Sequence, residues 1–521
     1  MARLSIISIP QHALNSFYDM KRQSVNKHSL LLLLTGLFLW VTRPASAQYV
    51  MDKKVVPGSS LFPSIHQPTD KKLIQTSSRL QWAYVKNNIA AMQIRHPYLD
   101  GVAASMNGSF AKDYLMMRGD RLWTADDVQL ETVSQIKWGT YTDNFVILYF
   151  GDSLAPDFFN DRKWSVITHN VGMVSKMIAA GGFKGVFLDN ENYYEGSRGW
   201  KYDPSWYQGH TLEQVKAQCR QRGHEFMKAL QAHVLNSLTV LDFIWFGDHW
   251  NNYDATSGRQ LLWLSFKDGM LDAARAKDVL VDGNEMAYYY QESTMFTDIY
   301  NEFRQHKFPK YGAADLQEKY KKQVQIGHGI YPSLYYGVYK WPHTYSANEH
   351  DMWWENQLYN ALLTADKYVW IWTEPDENWW EDGPPLFTPA FTEIAKKVRA
   401  NLKKQQGLPY DLVKYGTNWQ GNLVTPAQKW HVANAPAITI TTPSNTVETN
   451  GNFTIRTNVS GQTSRVEFFI NSMRVGIDST APFTAGITLL APGTYTLFAR
   501  AFDRQNEHTT SAPVTITVRP E

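Results

Sequence analysis

The chain has 521 residues, with 51 Lys and Arg against 49 Asp and Glu. A formal charge of +2 without a basic stripe offers a nucleic-acid backbone nothing to hold. The single cysteine, Cys219, excludes an intrachain disulfide and any CxxC metal or redox motif, and reads as an inert helix residue.

The first segment reads as a secretory signal peptide, residues 1–47. Lys21, Arg22 and Lys27 precede an apolar run at 30–41, and Pro44 to Ala47 offer a small-residue cleavage site. That run is about a dozen residues, too short to span a bilayer. The expectation is a periplasmic or secreted chain cleaved near Ala47, with no membrane anchor afterwards. Residues 48–70 are polar with several prolines and read as an extended arm.

Residues 71–405 alternate strand-like and helix-like runs. Strands are expected at 73–75, 99–105, 145–150, 185–188, 241–246, 279–281, 325–334 and 368–373. Helical spacing covers 79–95, 164–180, 211–235 and 389–404. Strand then helix, repeated eight times, is the pattern of a (β/α)8 TIM barrel, an α/β fold. The count of eight depends on the weak run at 73–75. Residues 406–434 are polar and irregular and read as a linker packed on the barrel. From 435 to 521 the texture changes to short alternating strands, at 437–441, 452–456, 465–470, 494–500 and 514–518. Turn signals at Asn450 with Gly451 and at Pro492 with Gly493 separate them, which predicts an all-β sandwich.

The chemistry centres on the fourth strand. Its apolar run, 185–188, ends abruptly in Asp189, Asn190, Glu191 and Asn192, followed by Tyr193. A buried strand ending in carboxylates is how a parallel barrel presents an active site. Asp189 and Glu191 are two apart, so they face one side while the chain stays extended. Neighbouring carboxylates push each other's pKa apart, which suits an acid beside an anion. The plainer alternative is that Asp189 caps the next helix and Glu191 is solvated.

If eight strands close in order, one rim also gathers Asp248, His249, Asp282, Glu285, Glu374 and Asp376. Tyr193, Trp245, Trp250, Tyr288, Tyr335, Trp372 and Trp379 would surround them. Carboxylates lined by aromatic rings are what glycoside hydrolysis requires: an acid for the leaving oxygen, an anion for the oxocarbenium-like centre, and rings to hold sugars. Glu191 is the expected general acid. Glu374 is the first choice for its partner, with Asp282 and Asp189 as alternatives. Glu285, Asp248 and Asn190 are expected sugar ligands together with the aromatic residues. His249 and His328 are expected to hydrogen-bond or pack. No HxxxH or HExxH spacing is present, so neither a metal nor a cofactor is called for.

Two resemblances sharpen these expectations. The last domain resembles the bacterial immunoglobulin-like domains appended to secreted glycosidases, through the runs at 466–471, 478–483, 491–495 and 511–515. The region 70–405 resembles secreted bacterial (β/α)8 glycoside hydrolases. Asn190 and Glu191 match the Asn-Glu pair that closes the fourth strand in the large clan of retaining barrel glycosidases, and that resemblance implies Glu191 as acid/base. The same clan carries its nucleophile after the seventh strand, where this chain has Tyr335 and Tyr336, and the nearest Glu is Glu374, after the eighth. The Asp189-x-Glu191 spacing is also similar to chitinase-like barrels, although Gly185 and Phe187 stand where their upstream acids would be. The expected function is a secreted glycoside hydrolase acting on a poly- or oligosaccharide. The alternatives are a non-catalytic carbohydrate-binding scaffold and, third, a metal-assisted hydrolase using Asp248, His249 and Asp282.

Overall fold

The computed structural model describes residues 71–106, 115–150, 157–191, 200–243, 261–290, 293–332, 347–373, 379–381 and 389–403. It also describes most of 436–519 and short segments at 47–50 and 412–428. The signal-peptide segment before residue 47 lies outside the described residues. So do the sequence-predicted site residues Tyr193, Trp245, Asp248, His249, Trp250, Tyr335, Tyr336, Glu374 and Asp376.

Nine parallel strands form the first sheet. They are β1 (Lys72–Ser77), β2 (Gly101–Ser105), β3 (Phe145–Tyr149), β4 (Gly185–Asp189), β5 (Thr239–Asp242), β6 (Val279–Asp282), β7 (Val324–Ile326), β8 (His328–Ile330) and β9 (Tyr368–Ile371). Only Gly327 separates β7 from β8. The first pairs with β6 and the second with β9, while β9 pairs with β1. The seventh stave is thus one bent strand, and the sheet closes into an eight-stave barrel. The weak run at 73–75 is a true strand, buried nearly throughout and paired on both sides.

Strand alternation sorts two cores. Val146, Leu148, Val186 and Leu188 face the surrounding helices, while Phe145, Ile147, Phe187, Leu241, Val281, Tyr368 and Trp370 fill the barrel interior. The principal helices outside are α1 (Trp82–Arg95), α2 (Asp161–Gly181), α3 (Leu212–Gln231), α4 (Leu261–Ala273), α5 (Ser293–Glu302), α6 (Ala347–Thr364) and α7 (Pro389–Lys403). The α2 helix starts where the Asn160 side chain accepts the Lys163 N–H, and stops at Gly182 with φ of 66°. A reciprocal Thr211–Gln214 capping box starts α3.

Helices α3 and α4 cross at backbone contact. A Cβ on Gly223 would lie 1.9 Å from the Phe266 carbonyl oxygen, and one on Gly269 would lie 1.9 Å from that of Arg220. The Cys219 thiol donates to the Leu262 carbonyl at 3.1 Å in the same seam. Burial pushes that thiol well above its usual range, so it stays protonated. Gly223→Val is expected to destabilise the chain by about 3 kcal/mol, at or beyond the usual overpacking range. A urea titration followed by tryptophan fluorescence measures this, and an unchanged midpoint would refute the tight crossing.

The last domain is a two-sheet antiparallel sandwich. One sheet holds β10 (Ala437–Thr442), β11 (Phe453–Ser460) and β14 (Thr484–Thr488). The other holds β12 (Arg465–Ile470), β13 (Met473–Asp478), β15 (Gly493–Phe502) and β16 (Val514–Val518). Ile455, Phe468, Leu497, Ile487 and Ile516 fill the space between them. Two expectations change. The stretch expected as an irregular linker contains two short antiparallel pairings, Leu412–Val413 with Ala427–Gln428 and Thr417–Asn418 with Asn422–Leu423. At the start of the expected arm, Ala47–Val50 pairs in parallel with β14. Among the described residues no helix is long and apolar enough to cross a membrane.

Candidate functional site

The C-terminal mouth of the barrel has an aromatic floor. The Trp370 ring meets Phe187 at 5.0 Å, Phe243 at 4.6 Å and Tyr288 at 5.3 Å between centroids. Phe243 also meets Trp372 edge-on at 5.7 Å, and Tyr288 meets Tyr331 at 5.2 Å. The Trp370 indole N–H donates to the Gly283 carbonyl at 2.8 Å. A Cβ on Gly283 would stand 2.9 Å from that indole nitrogen and 2.3 Å from the Asp242 carbonyl oxygen, so only glycine lets β6 lie this close.

Asp189 is the last residue of β4 and lies two residues after Phe187, which is interior, so it faces the barrel axis above this floor. Asp189 and Asn190 are both buried, and Glu191 is half-buried. The Glu191 backbone N–H donates to Asp189 Oδ1 at 3.1 Å. This is an Asx turn: the chain leaves the strand direction at once, and the carboxylate of Asp189 fixes where Glu191 begins. The expected side-by-side pair on an extended strand is therefore corrected to an acid that holds its neighbour's backbone.

The end of β6 is equally constrained. Asp282 Oδ1 accepts the Asn284 N–H at 3.0 Å. Asn284 has φ of 43°, in the left-handed region that few residues other than glycine adopt. Its side chain is held by His328 Nδ1 at 2.9 Å and by the Tyr290 hydroxyl at 3.3 Å. A 3-10 helix, Glu285–Tyr289, follows.

Two site residues expected from sequence sit elsewhere. Asp282 alternates with the interior Val281 and so falls on the side of Leu280, toward the helices. It pairs in register with Asp242. The Asp242 carboxylate accepts from Lys267 Nζ at 2.9 Å and from the Trp263 indole at 3.0 Å, all within α4 and the sheet–helix layer. Burial raises Asp242 to about 6 against the opposing pull of Lys267, and burial lowers Lys267 to about 8. Asp282 adds negative charge to this buried group rather than to the mouth. Trp379 likewise packs in the outer shell: its ring meets His96 at 5.2 Å, and its carbonyl meets His96 Nε2 at 2.7 Å. Among the described candidates, Asp189, Tyr288 and Trp372 line the mouth, and Asn190, Glu191 and Glu285 follow the ends of β4 and β6. The sequence reading missed Phe243, Tyr331, Asn284 and Lys267. Phe243 and Tyr331 lie in the expected strands 241–246 and 325–334, and Asn284 lies between the expected Asp282 and Glu285, so only Lys267 stood in no stretch singled out.

His328 hydrogen-bonds as expected, between Asn284 and the Thr364 hydroxyl at 2.9 Å each. Complete burial lowers its pKa from 6.5 to about 3, so it is neutral. The unfolded chain takes a proton near 6.5 and the folded one does not until about 3, so this contribution is full above pH 6.5 and is lost as pH falls. Between pH 7 and 4.5, His328→Gln is expected to lose about 2 kcal/mol less stability than the wild type, measured by calorimetry at both pH values. Equal losses would show that His328 is not held neutral.

Comparison with known proteins bears mainly on the last domain. A family model for the bacterial Ig domain matches residues 436–499. The chain is similar to the fibronectin(III)-like modules of Clostridium thermocellum CbhA, at 31% identity over 16% of this chain and 94% of that one, with a TM-score of 0.15. It is similar to a Bacteroides uniformis beta-glucuronidase at 11% identity, covering 87% of this chain but only 46% of that one, with a TM-score of 0.33. It is also similar to a family GH18 chitinase from Chromobacterium violaceum at 11% identity, covering 63% and 84%, with a TM-score of 0.34. The chain thus spans less than half the length of the glucuronidase. No curated protein matches it. The architecture rests on the strand order itself: a parallel barrel followed by a bacterial Ig-like sandwich.

Proposed function

We propose that the barrel is a glycoside hydrolase acting on a poly- or oligosaccharide, exported by the N-terminal signal segment. One observation carries this reading. Asp189 faces the axis of the mouth, above Phe187, Phe243 and Trp370, and its carboxylate anchors the backbone of Glu191. Trp372, the partly exposed ring packed edge-on against Phe243, suits the C–H face of a sugar ring, and an acid held at the same mouth suits proton delivery to a glycosidic oxygen.

In this reading Glu191 gives its proton to the leaving oxygen as the bond to the anomeric carbon breaks, and the bonding pair stays on that oxygen. One water is consumed. Its hydroxyl ends on the anomeric carbon, and its remaining proton restores Glu191. Asp189 positions Glu191 and contributes negative charge beside the developing cation.

The test is a reducing-end release screen of the chain starting at Gln48, over a broad polysaccharide panel, with calorimetric titration of the same sugars. Release on at least one polymer supports the hydrolase. Sugar binding without release on any polymer would replace it with the carbohydrate-binding scaffold.

A further inference from the structure

We propose that Glu285 is the second carboxylate of the mouth, set two staves from the β4 acids. The inference rests on the hydrolase reading for its chemistry, but the placement of Glu285 stands on geometry alone.

The helical geometry aims the residue. In a 3-10 helix, residues three apart eclipse one another. Within Glu285–Tyr289 the residue three after Glu285 is Tyr288, which packs on Trp370 in the barrel interior. Glu285 therefore leaves the helix on the interior side, one turn nearer β6. Its backbone N–H donates to the carbonyl of Phe243, a residue of the floor, at 3.3 Å. It is half-buried, in keeping with a mouth position.

The turn before it is fixed at each step. Asp282 accepts the Asn284 N–H, Trp370 donates to the Gly283 carbonyl, and the Asn284 carbonyl accepts the Gly329 N–H at 3.3 Å. His328 and Tyr290 hold the Asn284 side chain. A non-glycine residue kept in the left-handed region is strained, and the surrounding bonds must offset that strain. Catalytic groups need this kind of support to hold their geometry. Asp282, the acid that the sequence favours on this strand, instead serves as the brace from which Glu285 projects.

The spacing also fits. Strands β4 and β6 flank β5. Two strand spacings of about 4.8 Å separate their backbones by about 10 Å. Side chains reaching inward from both bring the carboxyls into the roughly 5–9.5 Å span that glycosidases use. Glu285 then supplies the anion that faces the anomeric carbon while Glu191 supplies the proton.

Two measurements on the full chain from Gln48 test this. The first is carbon NMR of protein labelled at the glutamate carboxyl, with the Glu191 signal identified by its loss in Glu191→Gln. Neighbouring carboxylates titrate as a coupled pair, so Glu285→Gln is expected to lower the pH at which Glu191 titrates by about one unit. A Glu191 titration unmoved by Glu285→Gln overturns the proposal, whatever the activity. The second is turnover of a panel of 4-nitrophenyl glycosides. Glu285→Gln is expected to lower kcat at least about 100-fold with KM changed less than threefold, and azide is expected to restore part of the loss in Glu285→Ala, whose truncated side chain leaves the anion room. A loss confined to KM overturns the catalytic role. Coupled titration with no turnover by the wild type on glycosides or polymers upholds the pair and removes the hydrolase reading.

Discussion

Glu191→Gln is expected to lower sugar release about 100- to 10,000-fold, the usual contribution of a positioned acid. The amide keeps the size of the side chain and its backbone bond to Asp189 but has no proton to give. Glu191 is half-buried and follows the strand rather than lying within it, so the unfolding midpoint should stay within about 2 °C of wild type. Asp189→Asn separates charge from geometry, since an amide oxygen can still accept the Glu191 N–H at the same position. Parallel rate assays and thermal scans on the three proteins decide the matter. Residual activity in Glu191→Gln within tenfold of wild type would assign the acid elsewhere.

Asp366→Ala is expected to destabilise the chain by about 3–5 kcal/mol, the usual cost of breaking a buried ion pair. Asp366 lies between α6 and β9 and is fully buried. Its Oδ2 accepts from Arg304 at 2.5 Å and from the Ile326 N–H at 2.7 Å, and its Oδ1 accepts from the Tyr300 hydroxyl at 2.5 Å. Arg304, itself nearly buried, also donates to the Val324 carbonyl at 2.9 Å. One carboxylate therefore fastens both ends of β7 to the rest of the barrel. Alanine would leave the Arg304 cation buried with its ion-pair partner removed and would unfasten Ile326. The double variant Arg304→Met, Asp366→Leu should lose markedly less than Asp366→Ala, because it removes both charges. Urea unfolding of the two variants checks this, and an Asp366→Ala loss under about 1 kcal/mol would refute the clamp.

Much of the architecture was legible because buried parallel strands read as unbroken apolar runs. Residues 145–150 and 185–188 announce themselves this way, and 73–75 did so weakly because Lys72, Gln75, Thr76 and Ser77 dilute it. The site was less legible because a one-residue shift in strand phase reverses which side a terminal acid faces. Phe187, Leu188, Asp189 and Leu280, Val281, Asp282 look alike as sequence. In the fold Phe187 faces in and Leu280 faces out, so the two acids part company. Trp379 misled for a related reason: it follows the last strand in sequence but folds back against His96 on the outer shell. Nothing in the sequence marks Asn284 as left-handed, since asparagine only tolerates that conformation.

The pairing of β1 with β9 sets a timetable for the nascent chain. The Thr76 hydroxyl reaches the Ile371 carbonyl across 295 residues of sequence. A chain made from its N-terminus exposes one edge of β1 until nearly the whole barrel has emerged, and such distant pairings form slowly. The early intermediates are therefore open sheets with an adhesive margin. A holding chaperone that covers residues 72–77 would serve this protein better than one acting on any later strand.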